Sequence, residues 1–215
     1  MKLFVDTCVW RYWFSYKNGH RFSKLTFEKY AKDFDQIYQI VAYAPPNHMI
    51  LYNALIEKEL ASLSKLFNEV IGNRFMEKIP IPLSRADGTY NFGGSLLGGG
   101  NFGGTLKCIL STDGHDHEKA YNDATPDFEK DNPAHHKTRI KEFDVEHLES
   151  AIEANADMFI TTDDPLIRRL KRAKEQFSDN PVIMTANVIC VTPSQALQRI
   201  KGYNGNLWGG QYEMH

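Results

Sequence analysis

Met158-Phe159-Ile160-Thr161-Thr162-Asp163-Asp164 is an apolar run that stops at two hydroxyls and two carboxylates, and Leu3-Phe4-Val5-Asp6-Thr7, near the other end of the chain, stops at an acid in the same way. Short continuous apolar runs are how the strands of a parallel sheet read when both faces are buried, and ligands of such sheets collect at the carboxyl ends of the strands. Two strands that end in acids therefore predict an acidic pocket at one edge of a sheet, suited to a metal ion.

Strand and helix patterns alternate around these runs. Phe27, Tyr30, Phe34, Ile37, Tyr38 and Val41 recur mostly at helical spacing, which predicts an amphipathic helix that Pro45 and Pro46 end. Met49-Ile50-Leu51-Tyr52 predicts a second strand, and Leu55, Ile56, Leu60, Leu63, Phe67 and Val70 predict one helix closed by Gly72. Helical spacing resumes at Asp144, with Val145, Leu148, Ala151 and Ile152 on one face, and again beyond Asp164 with Leu166, Ile167 and Leu170. Val188-Ile189-Cys190-Val191 reads as a last strand, and Pro193 is well placed to open a final helix through Leu197 and Ile200. The alternation predicts an α/β fold with a mostly parallel central sheet.

The 215 residues, 42% of them hydrophobic, suffice for one domain over 1–215 with a substantial core. Asp6 and Arg11 interrupt the apolar core that a signal peptide needs, and no stretch approaches the ~18 apolar residues of a membrane span, so a cytoplasmic protein without a membrane partner is expected. Cys8, Cys108 and Cys190 are odd in number and far apart, which suits free thiols. A net charge of −2 exerts no overall pull on nucleic acid, so any such binding has to be local. The local candidate is Arg168, Arg169, Lys171, Arg172 and Lys174 on the helix after Asp163, which reads either as a solvated face or as a contact surface for the phosphates of RNA.

Residues 84–138 break the rhythm and read as an insertion. Asn91-Phe92-Gly93-Gly94-Ser95-Leu96 recurs as Asn101-Phe102-Gly103-Gly104-Thr105-Leu106 across Gly98-Gly99-Gly100, without the lysine and hydroxyl pair of a phosphate-binding loop. Phe92 and Phe102 are candidates to stack on bases. Cys108, Asp113, His115, Asp116, His117, His135 and His136 include enough ligand types for zinc, in a spacing that resembles no standard zinc module.

The acids carry the sharper signal. Helical geometry places Glu59 beside Leu55, Ile56 and Leu63, inside the apolar stripe, and a carboxylate there has to be paired, protonated or metal-bound. Asp144 opens a helix and is an N-cap candidate, a role compatible with pointing past a sheet edge. Asp6 alone could be a polar strand end, and Asp163-Asp164 before Pro165 an ordinary turn. Four acids at element ends or in an apolar stripe, brought together, need a cation to offset their charge.

Leu3 to Thr7 resembles the opening of PIN domains, and Asp144-Val145-Glu146-His147-Leu148 with Ala151, Ala156-Asp157, Phe159 and Thr161-Thr162-Asp163 resembles their second half. Asn53 to Glu59-Leu60 is similar to the family's helix that carries the second acid, and Val191-Thr192-Pro193-Ser194 with Ala196-Leu197 to its closing strand and helix. The resemblance covers residues 1–72 and 140–200, roughly, and leaves the insertion unexplained. It implies a three-layer α/β/α sandwich with a metal-dependent nuclease centre at the carboxyl edge of the sheet. Asp6, Glu59, Asp144 and Asp163 would then bind Mg²⁺ or Mn²⁺ and carry catalysis, Thr161 would support the site, and Asp164 would be an extra ligand or a stand-in for Asp163. It further implies an endoribonuclease acting on single-stranded RNA, of the kind found as the toxin of a toxin-antitoxin pair, with an antitoxin and a second copy of the chain as partners. Three other readings stay open: a PIN-like module that binds RNA or protein without catalysis, a zinc-binding protein built on the insertion histidines, and a phosphatase of the haloacid dehalogenase type. The last expects a second Asp where this chain has Cys8.

Overall fold

A computed structural model describes residues 1–22, 24–43, 48–81, 146–176 and 187–208; Asp144, Val145 and the whole 84–138 segment, with its glycine repeat and histidines, lie outside these residues. The elements are β1 (Lys2–Val5), α1 (Thr7–Lys17), α2 (Leu25–Tyr43), β2 (Met49–Tyr52), α3 (Ala54–Glu59), a 3-10 turn (Ala61–Leu63), α4 (Ser64–Ile71) and β3 (Met76–Lys78). Helical residues 146–153 (α5) follow, then β4 (Met158–Ile160), α6 (Asp164–Gln176), β5 (Ile189–Val191) and α7 (Pro193–Trp208). No helix among the described residues is long and apolar enough to cross a membrane.

The strands form one five-stranded sheet in the order β3-β2-β1-β4-β5, and every neighbouring pair is parallel. The chain builds from β1 to β3 and then returns to the far side of β1 for β4 and β5. The direction of winding thus reverses between β1 and β4, and the crevice at the carboxyl ends of strands at such a reversal is where parallel sheets bind ligands.

Leu3, Phe4 and Val5 are all fully buried, as are Leu51, Phe159 and Ile160, because helices cover both faces of the sheet. Register separates the two faces. Phe4 pairs with Leu51 and Phe159, stacks on Phe159 at 5.5 Å, and meets His147 of α5 at 5.9 Å. On the opposite face Tyr52 meets Phe67 of α4, and Phe67 and Phe34 of α2 both pack edge-on against Trp10 of α1. Each such aromatic buried in full stabilises the fold by roughly 1.5–3 kcal/mol relative to exposure.

Two local features depart from the periodicity. Thr7–Lys17 is rich in aromatic and β-branched residues, poor helix formers in isolation, and its helix rests on packing Val9, Trp10, Trp13 and Phe14 against α2 and α4. It ends in a Schellman motif: Gly19, at φ +70°, donates to Tyr16 O, and His20 N–H reaches Ser15 O. The helix expected from Leu55 to Val70 is broken at Leu60, where the chain tightens into a 3-10 turn before α4. The buried residues Ile56, Leu60, Phe67 and Val70 keep a common side, so the apolar pattern survives the break.

Candidate acidic site at the β1–β4 crevice

Asp6 immediately follows β1 and is 5% exposed. Its N–H is held by Ile160 O of β4, so it continues the ladder across the crevice. It stands at the N-cap position of α1, where an Asp ordinarily accepts a helix N–H, yet it makes no side-chain cap bond. Its Oδ2 accepts the Thr161 hydroxyl at 2.6 Å and the Cys8 thiol at 3.0 Å instead.

Thr161 joins the two strand ends. Its Oγ1 donates to Asp6 and accepts the N–H of Asp163 at 3.1 Å, while its own N–H goes to Val191 O of β5. Asp163 is the N-cap of α6: Oδ1 accepts the N–H of Leu166 at 3.1 Å. Burial, reinforced by the charges of Asp6 and Asp164, raises the Asp163 carboxyl above the ordinary range against the pull of the Leu166 N–H and of Arg169.

Asp6 also weighs on both thiols nearby. Burial and then Asp6 raise Cys8 well above its ordinary value, which keeps the proton it donates to Asp6. Burial raises Cys190 of β5, and Asp6 and Asp163 add to the effect against Lys174. Burial is the first cause at Cys8, Asp163 and Cys190, and the charge of Asp6 adds to each, so negative charge is concentrated where β1 and β4 end.

Glu59, at the end of α3, is bound to the residue next to Asp6: one carboxylate oxygen, Oε2, accepts the hydroxyl of Thr7 and pairs with His147 Nε2 at 2.8 Å. It is not the fully buried acid that a continuous apolar stripe would make it, since its side chain keeps 21% exposure. Burial works to raise its carboxyl, but the bonds from His147 and Thr7, with the charge of Arg11, outweigh it and leave the group lowered.

The tautomer of His147 follows from its surroundings. Asn53 Oδ1 caps α3 by accepting the N–H groups of Leu55 and Ile56, so its Nδ2 is the side turned to Ser150 Oγ, at 2.9 Å, and to His147 Nδ1, at 3.4 Å. An Nδ1 that accepts from Asn53 leaves Nε2 to donate to Glu59. His147, Asn53, Thr7 and Cys8 were legible as motif neighbours but carried no signal that set them apart. Their role depends on α5, α3 and α1 meeting at one edge, which no spacing in one segment encodes.

The remaining candidates are dispersed. Asp164 is exposed in the first turn of α6. The cations after it do not share one face. Arg168, Lys171 and Arg172 are exposed, Arg169 turns far enough inward to act on Asp163, and Lys174 Nζ is tied to Val188 O at 2.7 Å. Asp144 lies outside the described residues, and among those residues no three His, Cys, Asp or Glu side chains form a ready cage for a metal. The chain matches no family model, no curated protein and no solved structure.

Proposed function

We propose that the protein is a metal-dependent endoribonuclease of the PIN type, using Asp6, Glu59, Asp144 and Asp163 with Mg²⁺ or Mn²⁺ to hydrolyse phosphodiester bonds of single-stranded RNA. The observation that carries this reading is Asp6, a buried carboxylate withheld from the cap bond of its own helix and influenced by a second acid, Asp163, just beyond the adjacent strand. Concentrating like charge in this way costs stability unless a cation offsets it.

The donor set fits such a cation. Asp6, Asp163 and Glu59 offer carboxylate oxygens only, which suits hard ions that keep several waters and bind through a few carboxylates together with substrate phosphate. When bound, the ion makes a water more acidic and offsets the charge that develops on the phosphate oxygens. The chain's own part is positional. Thr161 fixes Asp6 and the Asp163 backbone to each other, and the Thr161 hydroxyl and the Cys8 thiol both donate to Oδ2, which leaves Oδ1 of Asp6 for a ligand. His147 and Thr7 keep Glu59 ionised while engaging only Oε2. Arg168, Lys171 and Arg172 are the phosphate contacts of this reading. In-line attack is expected to leave a 3′-hydroxyl and a 5′-phosphate. The resemblance to toxin ribonucleases supports an antitoxin and a second copy as partners.

Incubation with several single-stranded RNAs and Mn²⁺, beside an Asp6→Asn variant, tests the reading: the parent should cleave and the variant should not. Equal cleavage by both, or none by either, sinks it.

A further inference from the structure

A partly exposed aromatic group lies where α1 and α2 meet. Tyr12 stacks on Phe27 with ring centroids 4.5 Å apart and planes 12° from parallel, Phe22 packs at 6.2 Å from Tyr12, and Lys24 Nζ sits 5.6 Å over the Phe27 ring. Tyr12, Phe22 and Phe27 all retain exposed surface, unlike the buried Trp10, Phe34 and Phe67 of the core. Leu25, two residues before Phe27, is 85% exposed.

The patch is continuous with the acidic site. Tyr12 stands one helical turn after Cys8, the thiol that donates to Asp6. Its neighbour Arg11 is exposed and reaches the Glu59 carbonyl with Nη2 at 2.8 Å. On α2, Tyr30 follows Phe27 by one turn and bonds to Thr192. Aromatic side chains thus follow α1 and α2 from one turn beyond Cys8 to Tyr30, which meets Thr192 at the end of β5. The patch's exposed cations are Arg11, Arg21 and Lys24, opposite in sign to the carboxylates it borders.

We infer that the Tyr12–Phe22–Phe27 cluster, with Arg11 and Lys24 at its rim, is a stacking platform for unpaired bases of the strand whose phosphate enters the acidic site. The inference rests on the phosphodiesterase reading above and adds what that reading leaves open: a physical basis for preferring single strands. Flat rings with an exposed face bind any base whose own face is free, and cations beside them hold the backbone. A duplex keeps its base faces stacked on each other and gains nothing from such rings.

Fluorescence anisotropy tests the platform, in EDTA and in the Asp6→Asn background so that no strand is cut and the repulsion at the site is reduced. The probes are a labelled oligouridylate of about 12 nucleotides, its duplex with oligoadenylate, and an abasic strand of equal charge. Tyr12→Leu and Phe27→Leu, which keep apolar bulk, should each weaken binding of the single strand about 10-fold, whereas Tyr12→Trp should restore it and binding of the duplex and the abasic strand should not change. Equal affinity of the leucine variants and their parent for the single strand overturns the platform. So does a leucine variant that changes only self-association, which would make the patch an interface between copies. Cleavage by the parent in Mn²⁺ is read separately: lost cleavage with intact stacking overturns the nuclease reading alone, and intact cleavage without any effect of the rings overturns the platform alone.

Discussion

After β5, Thr192 Oγ1 accepts the N–H of Gln195 at 3.3 Å while Gln195 Oε1 accepts the N–H of Thr192 at 3.0 Å, a reciprocal capping box with Pro193 in the first position of α7. After β1, Asp6 stands in the equivalent position, with a side chain that caps helices at least as well as Thr, and makes no cap bond. Asn53 and Asp163, which cap the helices after β2 and β4, side with Thr192. Among the described strand-to-helix junctions, Asp6 alone forgoes a contribution of about 1 kcal/mol. A cap spends a side chain on local stability, and the β1 junction spends it on charge placed where the sheet reverses direction.

If that contrast is functional, Asp6→Asn should separate activity from stability. Cleavage should fall by about 10² to 10³ or more, the scale of removing one well-placed electrostatic group from a catalytic centre. Thermal unfolding in EDTA should be unchanged or shifted upward, since Asn keeps an acceptor for Thr161 and removes a negative charge beside Asp163. A large loss of stability would show that Asp6 is a structural residue, and the contrast would collapse.

His147→Ala strikes the support of the same site. His147 is fully buried, meets Phe4, and links Asn53 to Glu59. Its removal opens a cavity and strips Glu59 of a partner, at a cost of roughly 3 kcal/mol by chemical denaturation. Thr192→Ala is the control from the other junction: about 1 kcal/mol of stability lost, with cleavage unchanged. A stability loss for Thr192→Ala well below that of His147→Ala, with activity kept only by the former, supports the division. Lost cleavage in Thr192→Ala would break it.

The fold was legible where a local rule decided it. Phe4-Val5, Ile50-Leu51 and Phe159-Ile160 announce strands because both faces of a parallel sheet are apolar, and their termini differ by a residue or two from the apolar runs. β3 (Met76–Lys78) goes unread because its single apolar residue is followed by Glu77 and Lys78, whereas the other edge strand, β5, keeps Ile189, Cys190 and Val191. α1 stayed hidden because its stability comes from partners in α2 and α4 that lie distant in sequence. At the site, Asp6 and Thr161 were legible as strand ends, and their adjacency came from the order β1-β4, which follows from the winding of the whole sheet. The pairing of Glu59 with His147 was not legible, since nothing in either helix specifies the other.

The smallest expected effect concerns pH, and its sign distinguishes the two ends of the acidic patch. Asp163 is raised from the ordinary value of 3.8 in the folded chain, by burial first and then by Asp6 and Asp164. The folded state therefore holds this proton more tightly than the unfolded chain, so ionisation costs stability: the cost is absent below pH 3.8 and complete once the pH has risen past the raised folded value. Asp163→Asn, which keeps the cap on Leu166, should be more stable than the parent near neutrality, with the gain fading as the pH falls toward 3.8. Glu59 is lowered from 4.5, because the bonds from His147 and Thr7 overcome the effect of burial, so its contribution is present above pH 4.5 and is lost as the pH falls through the folded value. Glu59→Gln should accordingly be less stable than the parent near neutrality, and the two should converge in acid. Thermal unfolding of both variants in EDTA across this range measures the pair of signs. Opposite signs mean that Asp163 carries uncompensated charge while Glu59 is charge held in place; shifts of the same sign would remove the electrostatic basis for treating the β1–β4 crevice differently from the capped end of β5.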